Sequence, residues 1–244
     1  MAAPDTYMTE MHQRFGFLAT WLPNTPIQIG DVGVLRRDRF EHITTLRRLG
    51  VNFQSSTANK MLDLEYTSEG CVETEFSAGA SRGNNSPKGE ASVRLRFLRE
   101  NAVLFVASSC APVQLDNIRE IGKQILDLYQ EGTWEHNWAV VTQILDAEAS
   151  TILISEQVSA ELTLAAEQSL NGTLKSLADT KAGLHVRSGR GVGLRIVAAG
   201  GLRPLFQAHG VKKRLFSANR FERQARPNSL DGPQFVQFRD EDRL

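Results

Sequence analysis

The 244 residues contain only two cysteines, Cys71 and Cys110. A disulfide-stapled secreted scaffold needs a denser framework, so both thiols are expected to stay reduced in an intracellular protein. The first residues lack the apolar core of a secretory signal. Residue 2 is alanine where myristoylation needs glycine, and the last residues form no prenylation box. Long apolar runs are missing too. The longest, near Ala102–Ala107 and Ala139–Ile144, fall well short of the roughly twenty residues of a membrane-crossing helix. Any membrane role must therefore use strands or surface adsorption. Net charge is also absent, because 28 Lys and Arg balance 28 Asp and Glu. No global field draws the chain to nucleic acid.

Patterns that carry catalysis are equally scarce. The five histidines, His12, His42, His136, His185 and His209, sit in unrelated segments and form no His-Glu-x-x-His pattern. Two isolated cysteines cannot make a structural zinc site. Cys110 with a distant histidine is one nucleophile candidate, set against an inert buried thiol. Glu135-His136, between Trp134 and Trp138, reads either as a site or as a solvated pair beside two core anchors. Gly189-Arg-Gly-Val-Gly193 fits neither nucleotide-loop spacing, so its glycines relieve a twisted strand or a close approach. No motif demands an enzyme, a metal or a cofactor.

What the chain does have is two pairs of segments with a period of two. In Val72–Ala80, residues Val72, Thr74, Phe76, Ala78 and Ala80 alternate with Glu73, Glu75 and Ser77. Its partner, Glu90–Leu98, sets Ala91, Val93, Leu95 and Phe97 against Ser92, Arg94 and Arg96. The second pair runs Val158–Ala166 and Arg190–Ala198, with Val158, Leu162 and Leu164 in one segment and Val192, Leu194 and Ile196 in the other. Such alternation puts each set on its own face of a strand. A barrel strand crosses a bilayer in about 9–11 residues with one greasy and one wet face. A half-buried strand of a soluble sheet looks the same.

The remaining segments predict one α+β domain over 1–218, built on a mostly antiparallel twisted sheet with flanking helices and two long amphipathic hairpins. Asp5 or Thr6 caps a helix with a Met8, Met11, Phe15, Leu18 stripe, ended by Pro23 and Pro26. Strands Ile27–Leu35 and Phe40–Leu46 flank a turn at Arg36-Arg37-Asp38, and Met61–Tyr66 leads into Val72–Ala80. The turn-rich Ser81–Gly89 makes the first alternating pair a hairpin. Asp116–Glu131 is the clearest helix, with Gly132 at its stop. Trp138–Ile144 and Thr151–Ser155 predict a hairpin around Asp146–Ser150, and Asn171–Lys181 a short helix. Gly200-Gly201 is expected to break the strand that follows, before a last strand Leu205–Phe216. Residues 219–244 are polar, with Pro227 and Pro233, and read as a mobile tail.

Charge is unevenly placed. Between His185 and Asn228 stand Arg187, Arg190, Arg195, Arg203, Lys212, Lys213, Arg214, Arg220, Arg223 and Arg226, opposed only by Glu222. Leu115–Glu161 leans acidic. The basic stretch reads as ordinary solubilising arginines or, with Arg36, Arg37 and Arg39, as a lipid-facing patch. A Lys or Arg near an anionic leaflet contributes about 1 kcal/mol, so about five on one face would hold the chain to an acidic membrane.

This order of elements resembles the amino-terminal, pore-forming domain of gasdermins. The likeness is carried by the first helix and hairpin, Thr44-Thr-Leu-Arg-Arg-Leu-Gly50, the long hairpin, the amphipathic helix, and Trp138-Ala-Val-Val-Thr-Gln-Ile144 with Thr151-Ile-Leu-Ile-Ser-Glu156. It covers nearly the whole chain as element order and scattered residues. Without a repressor domain or a lipid-modified cysteine, the chain is most similar to the fungal gasdermin-like regulators of cell death in non-self recognition. The resemblance implies a protein that is cytoplasmic while soluble and at the plasma membrane once activated. Its implied partners are acidic phospholipids and a homo- or hetero-oligomer with an allelic variant, with no nucleic acid and no catalytic step. The implied lipid contacts are Arg36, Arg37, Arg39, Arg187, Arg190, Lys212, Lys213 and Arg214. The implied inserting residues are Val72, Thr74, Phe76, Ala78, Val93, Leu95, Phe97, Val158, Leu162, Leu164, Val192, Leu194 and Ile196, with Ser81–Gly89 as the leading tip. The other reading is a soluble α+β binding or scaffold protein whose alternating strands cover a core.

Overall fold

The computed structural model describes residues 3–19, 21–36, 39–77, 90–212 and 234–237. Within them the chain is α+β, with two helices and two antiparallel sheets. Helix α1 (Ala3–Phe15) buries Tyr7, Met8 and Met11, spaced to share one helical stripe. It stops at Gly16, whose φ of 72° suits a residue without a side chain, and not at Pro23. Leu18 therefore leaves the helix and enters β1 (Leu18–Ala19), opposite Phe206. Strands β2 (Asp31–Leu35) and β3 (Phe40–Thr45) pair antiparallel, and the Arg36 N–H donates to the Arg39 carbonyl at 2.8 Å across the turn.

The long strands carry the architecture. After β4 (Ser55–Thr57) come β5 (Leu62–Thr67) and β6 (Val72–Ser77), then β7 (Ala91–Phe97) and β8 (Val103–Leu115). Helix α2 (Ile118–Gln130) buries Ile121 and Ile125. Its N-cap Asn117 accepts from the Gln54 N–H at 3.3 Å instead of capping the helix. Strand β9 (Trp138–Ser155) runs 18 residues without a break. The expected turn at Asp146–Ser150 does not form. Ala147 and Ala149 continue the buried face that Leu145 begins, with Asp146 and Glu148 on the wetter one, so the period of two runs through this stretch without a break. Strands β10 (Ala160–Ala166) and β11 (His185–Arg190) flank two 3-10 turns, Leu174–Ala178 and Thr180–Ala182. Strand β12 (Val192–Lys212) passes straight through Gly200-Gly201, which stay in register with β9 between two register shifts, Ile196/Ala199 and Leu202/Leu205. Strand β13 (Gln234–Gln237) pairs with His209–Lys212, so part of the stretch expected as a tail belongs to the sheet.

Two sheets result. In the larger, β5, β8, β9 and β12 lie side by side in that order. The smaller has the order β6-β7-β10-β11. Each strand of the smaller sheet is thus the chain neighbour of one in the larger, and the sequence of strands is the same in both. The larger sheet's central strands are covered on one face by α1, through Val103, Phe105, Ile152 and Ile154. On the other face Leu104, Val106, Leu153 and Val192 meet the smaller sheet and the 3-10 segment with Leu177 and Ala178. Away from this, α2 and Trp134 close a separate cluster on Val32, Val140 and Val211.

Candidate functional site

The four connectors between the sheets follow the order of the strands they join. They are residues 68–71, 98–102, 156–159 and Gly191, and each contains a residue with left-handed backbone: Gly70 (φ 63°), Asn101 (59°), Ser159 (59°) and Gly191 (69°). Such a residue bends the local course of the chain, which glycine does freely and Asn or Ser at some cost; Ser109 in β8 and Ala198 in β12 do the same without ending their strands. Around Gly191 the glycines serve close packing. A Cβ on Gly189 would stand 2.8 Å from Leu162 Cδ1, and one on Gly193 2.4 Å from Glu156 Cγ. The Gly189–Gly193 run is therefore a crossing between sheets.

The smaller sheet has three apolar cross-strand rows. Val72 lies opposite Phe97, which lies opposite Ala160; Thr74, Leu95, Leu162 and Gly189 form the next row; Phe76, Val93, Leu164 and Val186 the third. Val93, Leu95, Phe97, Leu162 and Leu164 are fully buried against the larger sheet, with Val72 and Phe76 half-buried at the edge. Thr74 is exposed there, and Ala78 lies outside the described residues, as does the tip Ser81–Gly89. The opposite face bears charge. Glu73, Arg96, Glu161 and Arg190 stand in one register row, alternately acidic and basic across all four strands. Arg96 bridges the row at 3.6 Å from Glu73 and 3.2 Å from Glu161. Among the described residues the outer edges of β6 and β11 have no strand beside them. One edge carries Glu73 and Glu75, the other Arg187 and Arg190.

The second alternating pair is arranged differently from the sequence expectation. Strand β10 pairs with β7 and β11, whereas Val192, Leu194 and Ile196 belong to β12 and pair with β9 in the larger sheet. The chain crosses sheets at Gly191, inside what reads as one strand. A register shift between Val192 and Leu194 then sends Val192 to the smaller sheet's core and Leu194 and Ile196 to the α1 side. Val158 lies in a connector and is 62 % exposed.

Among the described residues, the expected lipid contacts fall in separate places. Arg36 and Arg39 are exposed on the β2–β3 turn, with Arg36 Nε 3.2 Å from Glu41 Oε2. Arg187 and Arg190 are exposed on β11. These groups adjoin strands at opposite ends of the 18-residue β9, since Val34 registers with Trp138 and Val192 with Ser155. Lys212 registers with Gln234; Arg37, Lys213 and Arg214 lie outside the described residues.

A polar cluster missed in the sequence ties the hinge to α1. Glu10 accepts from the Ser68 hydroxyl at 2.7 Å with one carboxylate oxygen and from Arg99 Nη2 at 2.8 Å with the other. Ser68 Oγ also accepts from the Val103 N–H at 2.9 Å. Ser155 Oγ accepts from the Ala102 N–H and donates to the Arg99 carbonyl, at 2.9 and 2.7 Å. Burial and the nearby Glu10 push the Tyr66 hydroxyl up to about 12. No periodicity announces these contacts, because Glu10 and Arg99 are 89 positions apart.

Of the nucleophile candidates, Cys110 is buried, and burial with Asp63 and Asp146 nearby pushes its thiol up to about 12. At neutral pH it is a protonated core residue and no thiolate. His136 and Glu135 are exposed, while Trp134 is buried with its ring 5.6 Å edge-on from Trp138. Among the described residues no three His, Cys, Asp or Glu side chains gather as a metal site, and no helix is long and apolar enough to cross a membrane. No known family model matches the chain, and no curated protein matches it.

Proposed function

We propose that this chain is a gasdermin-like pore-forming protein. It binds acidic phospholipid at the plasma membrane, assembles with further copies or an allelic variant, and inserts its two long strand pairs to permeabilise the cell in programmed death. The single observation that carries this reading is the hinged double sheet. Strands β6, β7, β10 and β11 continue β5, β8, β9 and β12 in the same order across four left-handed residues. Straightening the hinge would turn two folded layers into two long hairpins, each strand exceeding the about 9–11 residues a barrel strand needs. The apolar rows now packed on the body would face lipid, and the Glu73–Arg96–Glu161–Arg190 row would face water.

Edges supply the assembly step. An open sheet edge cannot enter hydrocarbon because its N–H and C=O groups would go unpaired, whereas a closed ring has no edge. Antiparallel order runs β6, β7, β10, β11, so a neighbour's β6 beside β11 keeps the alternation of direction. It also sets Glu73 of one copy near Arg190 of the next, continuing the charge row. Head-to-tail contacts of this kind give a ring when the rotation between copies closes on itself.

Dye release from liposomes tests the reading, with acidic or neutral lipids, protein alone and protein with a variant partner. Leakage confined to acidic vesicles is expected. No leakage in any arm from folded protein would refute it. The second reading, a soluble binding or scaffold protein, is favoured by the complete burial of Val93, Leu95 and Phe97. It predicts a monomer that stays in solution when acidic vesicles are added.

A further inference from the structure

The hinge is fastened at one place by a side chain from outside either sheet. Glu10 belongs to α1, on the face of the larger sheet opposite the smaller one. Its side chain is only 15 % exposed, and both carboxylate oxygens are engaged with hinge residues. Ser68 opens the connector from β5 to β6, and Arg99 lies in the connector from β7 to β8. One carboxylate therefore grips both strands of the first pair where they bend.

The backbone at this point depends on the same groups. The Ser68 N–H donates to the Val103 carbonyl at 2.9 Å, and Ser68 Oγ accepts the Val103 N–H in return. The Cys71 N–H donates to the Ser68 carbonyl at 3.0 Å, and the Leu98 N–H to the Cys71 carbonyl at 2.8 Å. If the connectors straightened, Ser68 and Arg99 would be drawn away from α1. A partly buried carboxylate would then lose the Ser68 and Arg99 donors and keep only the nearby Tyr66 hydroxyl of β5. Bending and gripping are coupled by geometry, since the donors are in reach only while the hinge is folded.

We infer that Glu10 is a latch holding the smaller sheet folded against the body, and that its release is the step that frees the first strand pair. The latch stands on the contacts named; its regulatory meaning rests on the pore-forming reading above. The second pair has no equivalent grip from α1 among the described contacts. It is held instead by Ser155, which accepts from the Ala102 N–H and donates to the Arg99 carbonyl. Arg99 is therefore held by its side chain to α1 and by its backbone to β9, so release at Glu10 leaves the β9 attachment in place.

The test uses the full chain carrying Glu10→Gln, which keeps the volume and removes the charge, with Arg99→Met as an independent second variant. Amide hydrogen exchange in water, without lipid, reads the hinge at Leu98 and Val103. Losing a charge-assisted bond is expected to speed exchange there about ten- to a hundredfold, with amides of the β9–β12 pairing near Gln207 unchanged. Unchanged exchange at Leu98 and Val103 in both variants would overturn the latch. Leakage from acidic vesicles then reads its meaning. Faster leakage than wild type supports the regulatory role. A loosened hinge with leakage at the wild-type rate overturns that role. A loosened hinge with no leakage from either protein refutes pore formation and leaves the latch standing.

Discussion

Replacing Leu162 by alanine probes whether the smaller sheet can separate from the body. Leu162 is fully buried in β10, opposite Leu95 on one side and Gly189 on the other. Its Cδ1 occupies the space a Cβ at Gly189 would need, 2.8 Å away. Removing a buried leucine typically costs about 3–5 kcal/mol, less where the surroundings can collapse into the gap. Leu95 sits in a central strand and cannot move far, but β11 is an edge strand with every residue exposed, so it can settle inward. The expected cost is about 3 kcal/mol, falling on the smaller sheet and its docking. The reporters are favourably placed. All three tryptophans lie on the body, with Trp21 edge-on to Tyr7 of α1 and Trp134 beside Trp138. Urea unfolding followed by tryptophan fluorescence is therefore blind to the smaller sheet, whereas far-ultraviolet circular dichroism sees its strands. In Leu162→Ala the dichroism transition should begin at lower urea than the fluorescence transition. Leu153→Ala, in β9 of the same apolar cluster, should move both together. Coincident transitions in Leu162→Ala would refute a hinge joining two separable units.

Two further outcomes are expected. Reversing the whole charge row, with Glu73→Arg, Arg96→Glu, Glu161→Arg and Arg190→Glu together, restores every pair within a copy and between identical copies, so leakage should persist. Labelled wild-type and reversed chains should then fail to co-assemble, because like charges would meet at the shared edges; mixed rings in crosslinking would count against edge pairing. His209 of β12, 2.9 Å from Thr142 Oγ1 of β9, is driven by burial down to about 4. Its depressed value means the unfolded chain binds the extra proton between about pH 6.5 and 4, so stability falls as pH drops through that window. The loss is about 2 kcal/mol after allowing for partial exposure, so the urea midpoint of wild type should fall relative to that of His209→Leu as pH drops from about 6.5 to 4.

Much of the smaller sheet was legible in the residues because alternation is a local property. Val93, Leu95 and Phe97 must share a face wherever the strand lies, and a buried face needs that side to be apolar. The pairing of Val72–Ser77 with Ala91–Phe97 followed for the same reason, since neighbouring strands joined by a turn-rich loop pair readily. Helix α2 was equally plain, because Ile121 and Ile125 fix one stripe and Gly132 takes a positive φ beyond it. The misreadings share one cause. Asp146–Ser150 and Gly200-Gly201 look like stops in a short window, yet the long neighbours β9 and β12 hydrogen-bond each other through both stretches. Partners distant in sequence override local turn signals.

The sequence by itself determined which side chains turn inward and which outward, since covalent geometry fixes the period of a strand or a helix. Only the tertiary structure decided which sheet each strand joins, because that depends on how each connector bends. Gly70 and Gly191 adopt left-handed backbone freely, but Asn101 and Ser159 do so only under the packing around them. It also decided that Val192, Leu194 and Ile196 leave the smaller sheet, that the arginines of β2–β3 and β11 stay apart, and that Glu10 reaches Ser68 and Arg99. These are contacts between residues far apart in the chain, and no local pattern encodes a distance that only the folded sheets set.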